Sequence, residues 1–565
     1  MSGMFSKARV AALISVFSFA PPASAFTSHL YNSDATGNAL ARFDVDGNAL
    51  DAHDGGLVQF GQTYYLYGTS YACGYEYKQN SSFCGFKVYS SPDLWHWTDK
   101  GFAVPAGNCA YCFRPHVIYN AATKTYVMWT DAGGVYAVYA SASPTGPFTR
   151  QPNPTLAVGG AVDEALFQDD DRTGWLIHNT TGVAAGLTAD MVVEKLTADY
   201  LNTTGQNAKL GLGDVEGFAV FKRGGKYHAL MSDPSCAYCS GATGEMTATS
   251  MLGPWEGKWY DSAGVHQSGR TEPRWRARIV NPDNCGGQPL ATPAIAREDG
   301  TLDYYFVSDR WKNRAPNEAL ADFFIGRMEF AADGTLKDIR CADTVTASLR
   351  DGSLGAYKVS ARFDQGSGFE GFRHYCDIAG KTERRQSFAP SRSGRLMAVS
   401  VTSFQGGRPD APLILDILDG AGAVLKSATF ALDSIPWAPH VLTAHPDVDV
   451  QTGSAYFLRL RSATTQGCYG WEYNDANPYP RGFEAYSTDG GATYTAESGR
   501  DLKFTVDVEG TTSLAGLARR KPDTRKPIAI GRDAAGRFRL HGFGTAPIAA
   551  PERRAKAALS SSTRP

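Results

Sequence analysis

One short pattern recurs five times in the first 345 residues and constrains the fold more than any other feature. An aromatic strand appears as Thr63-Tyr64-Tyr65-Leu66-Tyr67, Thr125-Tyr126-Val127-Met128-Trp129, Gly174-Trp175-Leu176-Ile177-His178, Lys226-Tyr227-His228-Ala229-Leu230 and Asp303-Tyr304-Tyr305-Phe306-Val307. The lead aromatics stand 62, 49, 52 and 77 residues apart. Repeats near this length, built from short strands and turns, mark a β-propeller. Turn-ended strands lie between them, such as Ser143-Pro144-Thr145-Gly146-Pro147-Phe148 and Ser250-Met251-Leu252-Gly253-Pro254-Trp255. No helical periodicity is sustained over this stretch. Five units predict five blades, assigned to residues 26–345.

Each aromatic strand follows another strand that opens on a polar residue 10 to 16 positions upstream: Asp54, Arg114, Asp163, Glu216 and Gln288. In a propeller the first strand of every blade lines the central channel, so these five openings are expected to meet at one mouth. Three acids, a guanidinium and an amide suit a carbohydrate-cleaving pocket. One acid protonates the leaving oxygen, another activates water, and the remaining groups hold the sugar. Singly, each residue has a plainer explanation. An Asp before Gly-Gly is usually a turn residue, Asp163 stands ahead of the acidic turn Asp169-Asp170-Asp171, and Arg114 and Gln288 can satisfy backbone groups. Similar placement in successive units favours the joint reading.

Export is expected. Lys7 and Arg9 precede the apolar run Val10–Ala20, and Ala23-Ser24-Ala25 is a cleavage site, so residues 1–25 read as a signal peptide. No segment reaches the length of a membrane span, and the destination is a secreted or periplasmic one. The ten cysteines then favour disulfides. Plausible pairs are Cys73–Cys84, Cys109–Cys112, Cys236–Cys239, Cys285–Cys341 and Cys376–Cys468. The two Cys-x-x-Cys units leave a four-thiolate zinc site as the alternative. Residues 511–565 hold 12 of the 55 Lys and Arg but only 3 of the 57 Asp and Glu. Residues 26–510 therefore hold 41 basic and 54 acidic residues, a balance of −13. An acidic body speaks against nucleic acid as a partner.

The segments around the openings resemble glycoside hydrolase family 43, the five-bladed propeller glycosidases. Asp54 precedes Tyr64-Tyr65-Leu66-Tyr67-Gly68 by ten residues, as that family's general base does. Asp163-Glu164-Ala165-Leu166-Phe167-Gln168-Asp169-Asp170-Asp171 is similar to its second-acid motif. Glu216-Gly217-Phe218, continued by Phe221-Lys222-Arg223-Gly224-Gly225-Lys226-Tyr227, is similar to its general-acid motif, with Phe218 in place of proline. Within the family the nearest look is to exo-β-1,3-galactanase-like members, through Ala52-His53-Asp54-Gly55-Gly56, Phe113-Arg114-Pro115 and Gly287-Gln288. Asp54 stands where those members have glycine, and Phe113 where they have a sugar-contacting glutamate, which puts galactan specificity in question.

The resemblance implies inversion of the anomeric centre. Asp54 deprotonates water, Glu216 protonates the glycosidic oxygen, and Asp163 orients Glu216 and tunes its proton affinity. Gln288 is a fallback for positioning water. His53, Phe113, Arg114 and Gln288 are the expected substrate contacts, Phe113 by stacking on a sugar face, with a plain channel histidine as the alternative for His53. Some members hold a channel calcium, but no oxygen-rich loop here demands one, and no cofactor is required. The expected partner is an oligo- or polysaccharide bound by a monomer.

Residues 346–510 change character. Strands such as Leu396–Val401, Leu413–Ile417 and Tyr456–Leu460 between Gly, Asp and Pro turns predict a β-sandwich that binds polysaccharide or braces the propeller. Trp437, Tyr469, Trp471 and Tyr479 are either a sugar-stacking platform or, more in keeping with sandwich cores, packing residues. Ser487–Tyr494 resembles the Asp-box turn of sialidases. The basic tail, 511–565, lacks the composition of a packed domain apart from strand-like pieces near Phe538. The leading reading is an exported inverting glycosidase acting on plant polysaccharide side chains or galactans, of galactosidase, arabinofuranosidase or xylosidase type. A carbohydrate-binding propeller without turnover is the second reading. A sialidase ranks last, because only Arg114 has a clear channel position.

Overall fold

The computed structural model describes residues 26–33, 37–75, 81–159, 162–180, 190–213, 215–232, 242–257, 278–291, 293–297, 301–311, 317–349, 362–368, 371–510, 530–532 and 538–540. Residues 1–25, expected to be a signal peptide, lie outside them, as do Cys236, Cys239 and most of the tail. The described residues are almost entirely strand, with only three-residue 3-10 turns at Asn284–Gly286, Glu318–Leu320 and Leu432–Ser434. The chain forms a five-bladed propeller followed by a β-sandwich.

Four blades are four-stranded antiparallel meanders. The first runs through His53–Phe60, Thr63–Thr69, Gly85–Ser91 and Thr98–Pro105, and the second through Phe113–Asn120, Thr125–Asp131, Tyr136–Ser141 and Thr149–Arg150. The third spans Glu164–Gln168 to Thr203–Gly213, and the fourth Glu216–Arg223 to Arg278–Asn281. In the fifth, the inner position is split between Gln288–Pro289 and Ala294–Ala296. Both pair with Leu302–Arg310, which in turn pairs with Asp322–Arg327.

The recurring aromatic strand is the second strand of every blade, and its packing explains its composition. Alternate side chains of a strand point to opposite faces, and here both faces are covered by neighbouring blades. Met128 enters the core shared by blades one and two, while Val127 and Trp129 enter the core shared by blades two and three. Trp175 and Ile177 pack toward blade four. Tyr304 and Phe306 pack toward blade four, and Tyr305 and Val307 toward blade one. A strand buried on both sides is apolar along most of its length, which erases the usual alternation. Each fully buried large side chain contributes about 2–3 kcal/mol.

The ring closes between blades five and one. Phe26–Tyr31 pairs with Thr344–Leu349, and Leu30, Val345 and Leu349 join Leu57, Tyr64, Tyr305 and Phe323 in one core. Asn32 bonds the backbone of Ile325 in both directions, at 2.9 and 3.0 Å.

The sandwich pairs an eight-stranded sheet centred on Gly394–Gly406 with a six-stranded sheet centred on Leu413–Asp419, Tyr456–Arg461 and Glu383–Phe388. Tyr469, Trp471 and Tyr479 are buried in its core, so they are packing residues. The Asp-box segment is a hairpin turn, closed by Thr493 donating to Asp489 at 2.9 Å from its backbone and 2.6 Å from its hydroxyl. Trp437 packs on the propeller. Its backbone N–H donates to Ala72 O at 2.8 Å and its ring lies against Gly74. Lys503 donates to Gly47 O at 2.7 Å, and Asn48 accepts from Val441 N–H at 2.9 Å. Disulfides join Cys73–Cys84, Cys109–Cys112, Cys285–Cys341 and Cys376–Cys468. Bonded to each other, Cys109 and Cys112 are not thiolate ligands. A separate unit contains the tail, where Ile530–Arg532 pairs with Phe538–Leu540. No described helix is long and apolar enough to cross a membrane.

Trp437→Ala is expected to lower unfolding stability by about 3–5 kcal/mol in urea titration. Gly74→Ala is expected to destabilise too, because its φ is +86° and an added Cβ would lie 2.9 Å from the indole.

Candidate active site

Strand register decides which side chains reach the propeller mouth. His53 pairs with Thr69, Phe113 with Asp131, Glu216 with Ser232 and Gln288 with Asp309. Asp163 occupies the matching place in blade three, where its carbonyl accepts from Asn179 N–H at 3.3 Å. His53, Phe113, Asp163, Glu216 and Gln288 are therefore the equivalent residues. Asp54 and Arg114 sit one residue later, on β-bulges that interrupt the register between His53 and Gly56 and between Phe113 and His116. Blade four has the same bulge, with Gly217 in that place. All three bulge residues are left-handed, with φ of +54°, +54° and +56°. The bulge turns an extra side chain of blades one and two into the centre. Glycine suits blade four, where a Cβ would lie 3.1 Å from Pro289 O.

The five sequence-derived openings form one network centred on Arg114. Arg114 Nε pairs with Asp163 Oδ2 at 2.8 Å, and Nη2 donates to Gln288 Oε1 at 2.8 Å. Gln288 Nε2 donates to Glu216 Oε2 at 2.8 Å. Asp163 Oδ2 also accepts from Gly217 N–H at 2.8 Å. Asp54 Oδ1 accepts from Arg114 N–H at 2.9 Å and from Thr69 Oγ1 at 2.7 Å, and Oδ2 accepts from Tyr71 OH at 3.0 Å.

The groups differ in access. Asp54 and Arg114 are each 4% exposed, whereas Phe113, Asp163, Glu216 and Gln288 are partly exposed. Burial pushes the Asp54 carboxyl up to about 6, against the opposing pull of Arg114 and the hydrogen bonds from Thr69 and Arg114. Burial alone would lower Arg114, but Asp163, Asp54 and Glu216 hold it above its ordinary value. Phe113 stacks on Tyr75, with ring centroids 5.5 Å apart.

The expectation that His53 touches substrate is corrected. Its side chain is wholly buried, stacked on Phe323 and set between Asp51 and Asp309 at 3.6 and 3.5 Å. Burial pushes the ring's proton affinity down, but Asp309, Asp51 and Asp54 leave it above the ordinary value. His53 packs against Tyr71, which donates to Asp54.

Several site residues escaped the sequence reading. Asp309 accepts from Asp54 N–H. Asp131 is raised to about 7 by burial and by Asp163. Glu164 is fully buried with neither oxygen hydrogen-bonded, and burial pushes it well above the carboxylate range. His116 is lowered to about 3 by burial and Arg114. The signal for Asp131 and Asp309 was present, since both stand five residues beyond a lead aromatic, as Thr69 and Ser232 do. Among the described residues no group of three or more His, Cys, Asp or Glu is arranged to hold a metal.

Residues 49–281 match the family model described as "Glycosyl hydrolases family 43". Comparison with curated proteins finds no match. Among solved structures, an exo-β-1,3-galactanase from Clostridium thermocellum aligns at 18% identity and a TM-score of 0.46, covering 85% of this chain and 99% of that one. An exo-β-1,3-galactanase from Phanerochaete chrysosporium, with β-1,3-galactotriose, aligns at 16% identity and 0.43, covering 85% and 99%. An arabinoxylan arabinofuranohydrolase from Bacillus subtilis aligns at 16% identity and 0.40, covering 75% and 95%.

Replacing Arg114 by methionine is expected to raise the Asp54 pKa above about 6, read by carboxyl titration in difference infrared spectra. It is also expected to cost about 3–5 kcal/mol of stability, because buried carboxyls lose their counter-charge.

Proposed function

We propose that this chain, whose residues 49–281 belong to glycosyl hydrolases family 43, is an exported inverting glycoside hydrolase acting on galactans or plant polysaccharide side chains. The observation that carries the reading is the network in which one arginine holds Asp54 through its backbone N–H, Asp163 through its guanidinium and, by way of Gln288, Glu216. A glycosidase of this type needs an acid and a base that differ in environment. Asp54 and Glu216 differ in burial and in partners.

Glu216 is the general acid. Arg114 donates to the amide oxygen of Gln288, so the amide NH2 faces Glu216 Oε2. The acid's proton is then directed to Oε1, for delivery to the glycosidic oxygen. Asp163 is a positioning residue: it fixes Gly217 N–H, the backbone next to the acid, and takes one arm of Arg114. Asp54 is the general base. Its Oδ1 is engaged by two donors, while Oδ2 takes one from Tyr71 and keeps a lone pair for water. Phe113 and Gln288, both partly exposed, are the substrate contacts, and Arg114 acts as the counter-charge to the three carboxyls. The disulfides support an oxidising destination. The substrates named for the galactanase and arabinofuranohydrolase structures set the glycosides to screen first.

Glu216→Gln is expected to lower kcat on natural glycosides by about 10²–10⁴-fold with unchanged thermal unfolding, and Asp54→Asn to do the same. NMR of the first product should give the anomer opposite to the substrate's. A retained anomer, or full activity in Glu216→Gln, would reject the assignment. A base works only when ionised, so kcat/KM is expected to fall as pH drops through about 6, approaching tenfold per pH unit. The second reading, a binding propeller without turnover, draws on the burial of Asp54, and hydrolysis by the wild type excludes it.

A further inference from the structure

A cavity of about 490 Å³ opens on the propeller away from the residues just described. Its charged lining is Arg223, Arg297, Arg327 and Lys337 with Asp303 and Glu329. Arg223 ends the strand that Glu216 begins, and seven residue steps of extended chain separate the two by roughly 20 Å. Asp303 and Asp309 bear the same relation along Leu302–Arg310. The cavity therefore belongs to the opposite face of the propeller, at the seam of blades four and five.

Four cations against two carboxylates leave an excess of positive charge, in a body whose overall balance is −13. The carboxylates are already engaged. Asp303 takes both arms of Arg297 at 2.7 and 2.6 Å and Arg327 Nε at 3.1 Å, and Glu329 faces Lys337 at 3.4 Å. Arg223 has no carboxylate partner among the described residues. It lies 4.1 Å from the ring centroid of Phe330, which fixes the guanidinium plane without neutralising it. Arg327 is half exposed. Two oriented guanidiniums offer the fork geometry that a flat carboxylate fits, and the volume accommodates one or two sugar rings.

We propose that this cavity is a second carbohydrate site, selective for a sugar carboxylate, which holds an acid-bearing branch of a polysaccharide while the opposite mouth cleaves it. The choice of a sugar acid rests on the hydrolase reading above. The charge and geometry of the cavity do not.

The test uses the full chain carrying Glu216→Gln, so that nothing is turned over, and calorimetric titration at low salt. The probes are a galacto-oligosaccharide capped with glucuronic acid, the same compound with its carboxyl reduced to the alcohol, and inorganic sulfate as competitor. The acid-capped form is expected to bind at least tenfold more tightly than the reduced form. Adding Arg223→Ala and Arg327→Ala together should abolish that preference. In the otherwise wild-type chain, the same pair should leave hydrolysis of a small aryl glycoside within twofold. Equal binding of the two oligosaccharides, a preference that survives the paired substitution, or displacement by equimolar sulfate would each overturn the proposal. Failure of the wild type to hydrolyse any aryl glycoside, with the carboxylate preference intact, would retire the hydrolase reading and leave the cavity's selectivity standing.

Discussion

Three carboxyl side chains cannot be gathered at the end of a protein channel unless something opposes their repulsion. Arg114 supplies the opposing charge here. Its backbone N–H, Nε and Nη2 reach Asp54, Asp163 and Gln288, and Gln288 passes the contact on to Glu216. A guanidinium does this better than an ammonium, because it is planar, permanently charged and donates in several fixed directions. Burying it costs solvation, and the surrounding carboxyls offset that cost. The balance leaves Asp54 raised but still ionisable near neutral pH.

That arrangement depends on the backbone delivering residues from different blades to one level. The same bulge in blades one, two and four does so, and its left-handed residue differs with the neighbours. Blade one uses Asp54, blade two Arg114, and blade four Gly217, where a Cβ would crowd Pro289 O. An arginine at φ +54° is uncommon. Its many bonds to neighbouring blades over-determine that conformation, as residues held in sparsely populated regions require.

The fold was legible because each blade's second strand is apolar on both faces. Runs such as Thr125–Trp129 stand out against any alternating pattern, and their spacing counts the blades. The convergence of the five polar openings was legible, and their register only to within one residue. The polar openings were seen, but bulges leave no mark in a single sequence, so Asp54 and Arg114 were aligned with Glu216 rather than with Gly217. His53 was misread for the same reason: it is the register equivalent of Phe113 and Glu216, yet it is covered by Phe323 and by Tyr71 edge-on. Asp131 and Asp309 stand at the ends of aromatic strands, a place polar residues commonly take before a turn. Burial of Glu164 and His116 follows only from how the blades crowd together, which no local pattern encodes.

The placement of the sandwich bears on how the ring can come apart. A closed circle of blades has one weak seam, where the first and last units meet without a covalent link between them. The chain leaves blade five, builds the sandwich, and returns to grip both banks of that seam. Trp437, Val441 and Lys503 hold the lead-in to blade one and the loop after its second strand, while Asn317 of the last blade donates to Gln405 O at 3.2 Å. The sandwich thus works as a buckle. Fraying at the amino-terminal strand would stop at the buckle, and the circle should yield as a whole rather than peel one blade at a time.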